Sequence, residues 1–161
     1  MSEVVLTRGF REDDRAAVVE LLREYEAAIG ISLSFQGFEA ELAGLPGLYA
    51  PPKGLMLLAR SSSCDDPVGC VALRPVPEIP GSCEMKRLYV RPATRGAGLG
   101  RRLALAAMEA ASALGYRRMC LDTLPTMVEA QALYRALGFR QFGVSDTQPK
   151  VLLFERELNG P

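Results

Sequence analysis

The chain has 161 residues, 48% of them hydrophobic and 24% charged, and its 19 basic residues balance its 19 acidic ones. That describes one globular domain with room for a proper core, and the zero net charge argues against a nucleic-acid partner, whose binders usually carry a basic excess. Histidine is absent, which excludes a Ser-His-Asp triad, a Cys-His dyad and an HExxH zinc site, and leaves acid–base work to Glu, Asp, Tyr, Cys, Lys or water.

Residues 4–8 form a short β-prone run, and Glu12, Asp13 and Asp14 supply acids for a first helical turn. Val18, Leu21, Leu22, Tyr25 and Ile29 follow at helical spacing and predict an amphipathic helix that ends near Gly30. A second, shorter helix is expected over residues 35–42, with Phe35 and Phe38 in the core. Strands are predicted at 55–59, 68–73 and 83–90, separated by Ser-, Pro- and Gly-rich loops. A long helix follows, with Leu99, Leu103, Ala106, Ala107, Ala110 and Leu114 on one face and Gly115 as its stop. A strand at 118–122, a helix at 127–137 closed by Gly138, and strands at 140–143 and 151–157 complete the chain. The strand–helix–strand run in the second half implies parallel pairing there, and the hairpins elsewhere imply a mixed sheet.

Cys64, Cys70, Cys83 and Cys120 form no C-x-x-C pair and have no His to complete a zinc site. They read as reduced thiols of a cytoplasmic protein, with no metal. The start of the chain lacks the basic and apolar regions of a signal peptide, and no stretch approaches the roughly 18 apolar residues of a membrane span.

Charge is unevenly spread. Residues 1–45 hold nine acids and four bases, whereas residues 84–118 hold two acids and eight bases. The basic block carries Gly96, Gly98 and Gly100 between a strand and a helix start. Glycines let the backbone turn tightly, and a helix N-terminus offers unpaired N–H groups and a positive dipole end, so together they suit pyrophosphate oxygens. A Walker A loop fails, because Arg101 stands where its second glycine belongs; the dinucleotide pattern G-x-G-x-x-G fails in both registers. What remains is R-x-x-G-x-G, with Arg95, Gly98 and Gly100 in register.

On that pattern, the stretch from Cys83 through Leu103 resembles the acetyl-CoA-binding core of the GNAT superfamily of N-acetyltransferases. Ala130, Leu133, Tyr134, Leu137, Gly138 and Phe139 are similar to its second signature, A-x-x-L-Y-x-x-L-G-F. The resemblance covers residues 84–139 and implies a single-domain mixed α+β fold over residues 1–161, a central twisted mixed β-sheet flanked by helices on both faces. It implies acetyl-CoA as cosubstrate, with Leu88, Tyr89 and Val90 along its pantetheine arm and Arg95, Gly96, Ala97, Gly98, Leu99, Gly100 and Arg101 around its pyrophosphate. Glu84 stands where many members place a general base, and a salt bridge to Lys86 or an Arg is its other reading. Tyr134 matches the tyrosine that stabilises or protonates the departing thiolate; a packing role is its other reading. Met127 replaces an Asn that touches the cofactor in many relatives, and the segment 144–149 departs from closer ones. Cys120 reads as a buried strand residue rather than a nucleophile, and Asp122 as a lone acid after a strand.

These readings imply direct acetyl transfer to the primary amine of a small molecule or peptide, without nucleic acid or membrane, by a protein whose family allows a homodimer. A CoA-binding regulatory module that has lost catalysis is the alternative.

Overall fold

In a computed structural model that describes residues 3–159, seven strands hydrogen-bond into one sheet: β1 (Val4–Arg8), β2 (Leu55–Ser61), β3 (Pro67–Pro75), β4 (Ser82–Val90), β5 (Arg118–Thr123), β6 (Arg140–Val144) and β7 (Leu152–Glu157). Their spatial order is β1-β2-β3-β4-β5-β7-β6. Met1, Ser2, Gly160 and Pro161 of the expected single domain lie outside the described residues. Every neighbouring pair is antiparallel except β4 and β5. That pair is parallel because the long helix α3 (Leu99–Ala113) carries the chain back between them.

One face of the sheet packs on α3 and on α4 (Val128–Ala136), and Leu73, Met85, Met119, Phe154, Leu103 and Ala107 share that core. The other face packs on α1 (Arg15–Ile29) and α2 (Phe38–Ala43), through Leu58, Ala72, Tyr89, Leu21, Leu22 and Phe38. Helices thus cover both faces, as the resemblance implied.

Three details depart from the sequence pattern. The expected helix over 35–42 is a short 3-10 turn (Ser34–Gln36) followed by α2, broken at Gly37, whose φ of +70° leaves the right-handed region. Phe38 is core, while Phe35 is only partly buried. Leu114, expected on the buried stripe of α3, is 46% exposed. The helix has stopped there: Gly115 donates to Ser112 and Tyr116 to Ala111, a left-handed closure that swings Leu114 out of the face.

The feature that positions the site is in β4. Met85 and Val90 are five residues apart, yet both are buried in the α3 core, whereas strict alternation would put them on opposite faces. One residue too many makes this possible. Cys70 faces Tyr89 and Ala72 faces Lys86, so the step of two on β3 is matched by a step of three on β4. Arg87 takes up the extra residue with a φ of +61°, a conformation that costs a non-glycine residue energy and that burial must enforce. Its guanidinium is held by Glu41 at 2.7 and 2.9 Å and by Gln36 at 3.0 Å.

Candidate active site

β4 and β5 pair only from Ser82 to Glu84, the last contact being Glu84 with Cys120. Beyond it the strands part, and from Met85 to Val90 the β5-facing edge of β4 has no strand partner. Backbone N–H and C=O groups along such an edge can pair with an extended ligand as with another strand.

The edge runs into a short 3-10 turn (Pro92–Thr94) and then the glycine loop. Gly96 and Gly98 have φ of +95° and +71°, and a Cβ added at either would meet nothing within 4 Å, so the loop presents bare backbone to open space. Gly98 is the N-cap of α3 and has no side-chain cap. The first helical bond is Arg102 N–H to the Gly98 carbonyl at 3.0 Å, so the N–H groups of Leu99, Gly100 and Arg101 precede it without intrahelical partners. With the helix dipole behind them they form an anion site.

A cleft of about 770 Å³ joins these parts. Of the residues the resemblance assigns to the cofactor, Leu88, Tyr89, Val90, Arg95, Gly96, Gly98, Leu99 and Gly100 line it, while Ala97 and Arg101 are not among its walls. Both of the latter are exposed, so they border the loop from outside. Arg95 lies 5.6 Å over the Tyr89 ring and donates to the Val90 carbonyl at 2.8 Å, which fixes the turn between edge and loop. The facing wall is Thr126, Met127 and the start of α4, with Tyr25 and Ile29 of α1 as a floor. Met127 therefore lines the cleft as an apolar surface, and its sulfur accepts a 3.7 Å bond from Thr123.

Tyr25 and Tyr134 approach the parted strands from opposite faces and, with Asp122 of β5, line one small void. The signature around Tyr134 has a physical cause: α4 ends when Phe139 N–H bonds the Tyr134 carbonyl and Gly138 N–H bonds that of Arg135, with Gly138 at φ +92°. The Phe139 ring then packs edge-on against Tyr134, centroids 6.0 Å apart. Glycine and aromatic thus clamp the tyrosine between helix and sheet. Its hydroxyl makes no hydrogen bond among the described residues. Burial pushes its pKa up, helped by Tyr25 and Asp122 nearby, so it stays protonated at neutral pH.

Glu84 sits on the α1 face beside the point of parting, outside the cleft lining. Its carboxylate accepts from Arg74 across the β3–β4 ladder at 2.8 Å, with Lys86 at 4.0 Å. Structure therefore brings Glu84 to the mouth of the gap but couples it to Arg74, and it is not among the residues that line the small void with Tyr134. Cys120, opposite Glu84, is pushed up to about 11 by burial and by the neighbouring Glu84 carboxylate, and is a thiol rather than a nucleophilic thiolate. Sequence reasoning missed Tyr25, Ile29 and Val128 in the cleft; Tyr25 and Ile29 look like ordinary members of an apolar helix stripe.

No cluster of three or more His, Cys, Asp or Glu among the described residues could hold a metal ion. No helix there is long and apolar enough to cross a membrane.

Known proteins resemble this chain in sequence and in fold. An uncharacterized N-acetyltransferase of Schizosaccharomyces pombe is 45% identical over 120 residues, 74% of this chain and 72% of its own. An IAA acetyltransferase of Azospirillum brasilense is 32% identical over 145 residues, 88% of this chain and 91% of its own. The fold matches a crystal structure of a GNAT-family acetyltransferase from Staphylococcus aureus with a TM-score of 0.81 over 98% of this chain and 100% of that one, at 16% identity. The profile of the acetyltransferase (GNAT) family matches residues 16–139, and the chain belongs to that family.

Proposed function

We propose that this protein transfers the acetyl group of acetyl-CoA directly to a primary amine of a small molecule or peptide. The observation that carries the reading is the continuity of three elements: an unpaired strand edge, a glycine turn and an uncapped helix N-terminus, all lining one cleft. An extended pantetheine arm with two amides suits the edge, and the pyrophosphate suits the turn and the first N–H groups of α3.

In this reading the thioester lies where β4 and β5 part. Backbone N–H around Leu88 to Val90 polarises its carbonyl, as at other oxyanion sites. The amine must shed a proton before attack, and Glu84, already bound to Arg74, takes it through a water. The neutral nitrogen then bonds to the carbonyl carbon, the C–S bond breaks, and CoA leaves as a thiolate. Tyr134, kept protonated by burial, donates a hydrogen bond to that sulfur. The thiol regains one proton and the new amide sheds one, so the sum is one amine consumed and one free thiol formed. The four cysteines are free, which accords with the cytoplasm as the place of action.

Titration calorimetry with acetyl-CoA, followed by a thiol-release assay over a panel of amines, tests this. The expected result is one bound acetyl-CoA and acceptor-dependent thiol release. Binding without release on any amine would leave a CoA-binding module.

A further inference from the structure

Asp122 has no task in the chemistry above. It stands two residues beyond Cys120, the last residue of β5 paired to β4. Met119 and Leu121 belong to the α3 core, so by alternation the Asp122 side chain points to the α1 face, the same face as Glu84. It is half-buried, and its carboxylate forms no hydrogen bond or ion pair with any described residue. No fully buried side-chain nitrogen or oxygen among the described residues lacks a hydrogen-bond partner, so the Asp122 oxygens reach solvent and stand open to a ligand.

Two narrow voids open on it. One, about 10 Å³, lies among Tyr25, Lys86, Arg87, Leu88 and Tyr134. The other, about 20 Å³, lies among Leu33, Phe35, Gln36, Leu124 and Val151, and shares Tyr25, Ile29 and Met127 with the large cleft. Two cations border these spaces, and both are engaged. Arg87 is held by Glu41 and Gln36, and Lys86 by Gln36, with Glu84 at 4.0 Å. What remains is one carboxylate flanked by the rings of Tyr134 and Phe35 and by that of Tyr25, which Arg87 already faces at 5.9 Å, surroundings that favour a cation.

The size of the voids narrows the cation. A space of about 10–15 Å³ admits one water-sized group. An ammonium head group alone has that calibre, so a carbon branched next to the nitrogen is disfavoured, and the rest of the acceptor extends towards the large cleft that shares Tyr25, Ile29 and Met127. An α-amino acid would also bring its own carboxylate against Asp122. The walls beyond are apolar on the Leu33, Phe35, Leu124 and Val151 side.

We propose that Asp122 binds the ammonium of the acceptor, and that the acceptor is an unhindered primary amine, R–CH2–NH3⁺, carried on an apolar chain. This rests on the acetyltransferase reading above. Asp122 holds the nitrogen at the gap beside the thioester, flanked by the aromatic rings and the apolar walls, with the Glu84 side left open to the water that takes its proton.

The test uses the full chain with acetyl-CoA and four amines: n-butylamine, n-pentylamine, sec-butylamine and leucine. The straight-chain amines are expected to exceed the other two about tenfold or more in kcat/KM. Asp122→Asn is expected to raise KM for n-butylamine about 10–100-fold, the loss of a charge-assisted hydrogen bond, with a much smaller fall in kcat and unchanged acetyl-CoA affinity. Asp122→Ser, smaller and equally neutral, is expected to do the same, and a thermal melt confirms that each variant is folded. If n-butylamine is acetylated but neither variant moves its KM, the role of Asp122 is overturned and the transferase reading stands. Comparable kcat/KM for sec-butylamine or leucine overturns the substrate class. Absence of thiol release with these four amines overturns the substrate class; release on another amine of the wider panel then keeps the transferase reading, and release on none defeats both.

Discussion

The two faces of the sheet are built from different materials. On the α3 and α4 side the core is almost entirely Leu, Ala, Val, Met and aromatic side chains, and recognition there falls to the backbone: a strand edge, a glycine turn and a helix terminus. On the α1 and α2 side, ion pairs thread the packing. Arg60 grips Asp14 at 2.6 and 3.0 Å with both side chains under a tenth exposed, Arg87 grips Glu41, and Arg74 grips Glu84. Backbone recognition tolerates side-chain change so long as the turn can form. A side-chain network has no such latitude, since removing one member strands its partner.

Four substitutions press on this contrast. The largest effect is expected at Arg60→Ala, which leaves the buried Asp14 with only the exposed Arg11, at 3.2 Å, as counter-charge and should cost about 3 kcal/mol in denaturant unfolding; replacing both residues by apolar ones should restore most of it. The Arg60 guanidinium also holds the Asp14 carboxyl below its ordinary value, against the opposing effect of burial. A depressed carboxyl stabilises the fold fully above its unfolded pKa of about 3.9 and ceases to do so as pH falls through its folded value. Wild-type stability should therefore drop on acidification below about pH 4, and Asp14→Asn should flatten that limb. If Arg60→Ala unfolds no more easily than wild type, the polar face is not the fragile one.

Tyr134→Phe comes next, because it is the exception on the dry face, a side chain with chemistry to do. It should lower kcat about 100-fold while acetyl-CoA affinity stays the same. Full turnover would reduce Tyr134 to packing. Gly98→Ala probes the backbone-borne half directly. It forces a Cβ into the left-handed N-cap of α3, at a cost of about 1 kcal/mol, and should weaken acetyl-CoA about fivefold by calorimetry with kcat preserved. Leu114→Ser should be smallest, within about 0.5 kcal/mol by thermal melt, because that side chain lies past the end of the stripe.

The same contrast explains what the residues alone disclosed. The glycine loop, both ends of α3 and the clamp on Tyr134 are local: their causes lie within a few residues of Gly98, Gly115 and Gly138, and a reader of the chain meets them together. The network on the other face is not local. Glu84 finds Arg74 because β3 and β4 pair in one register, and Arg87 finds Glu41 across 46 positions. Nothing near Glu84 in the chain announces its partner, so its ion pair stood only as a possibility with Lys86 or some arginine. Asp122 is the reverse case. It looked like a plain acid after a strand, and its interest arises only because Tyr25 and Tyr134, 109 positions apart in the chain, meet beside it. The break at Gly37 was hidden for a simpler reason, since Phe35, Phe38 and Leu42 keep helical spacing straight across it.

The extra residue at Arg87 makes β4 a strand whose length is a matter of parity. Its two halves answer to different neighbours: Ser82 to Glu84 are zipped to β5, and Tyr89 and Val90 are committed to β3 and to the cleft. A chain one residue shorter between Lys86 and Leu88 could keep only one of those commitments. Either Met85 would turn out of the core, or Tyr89 and Val90 would exchange the faces on which they are buried. Substitutions at this strand are matters of degree, but a deletion there has no mild form, and libraries that sample insertions and deletions should find residues 85–90 the stretch least able to change its count.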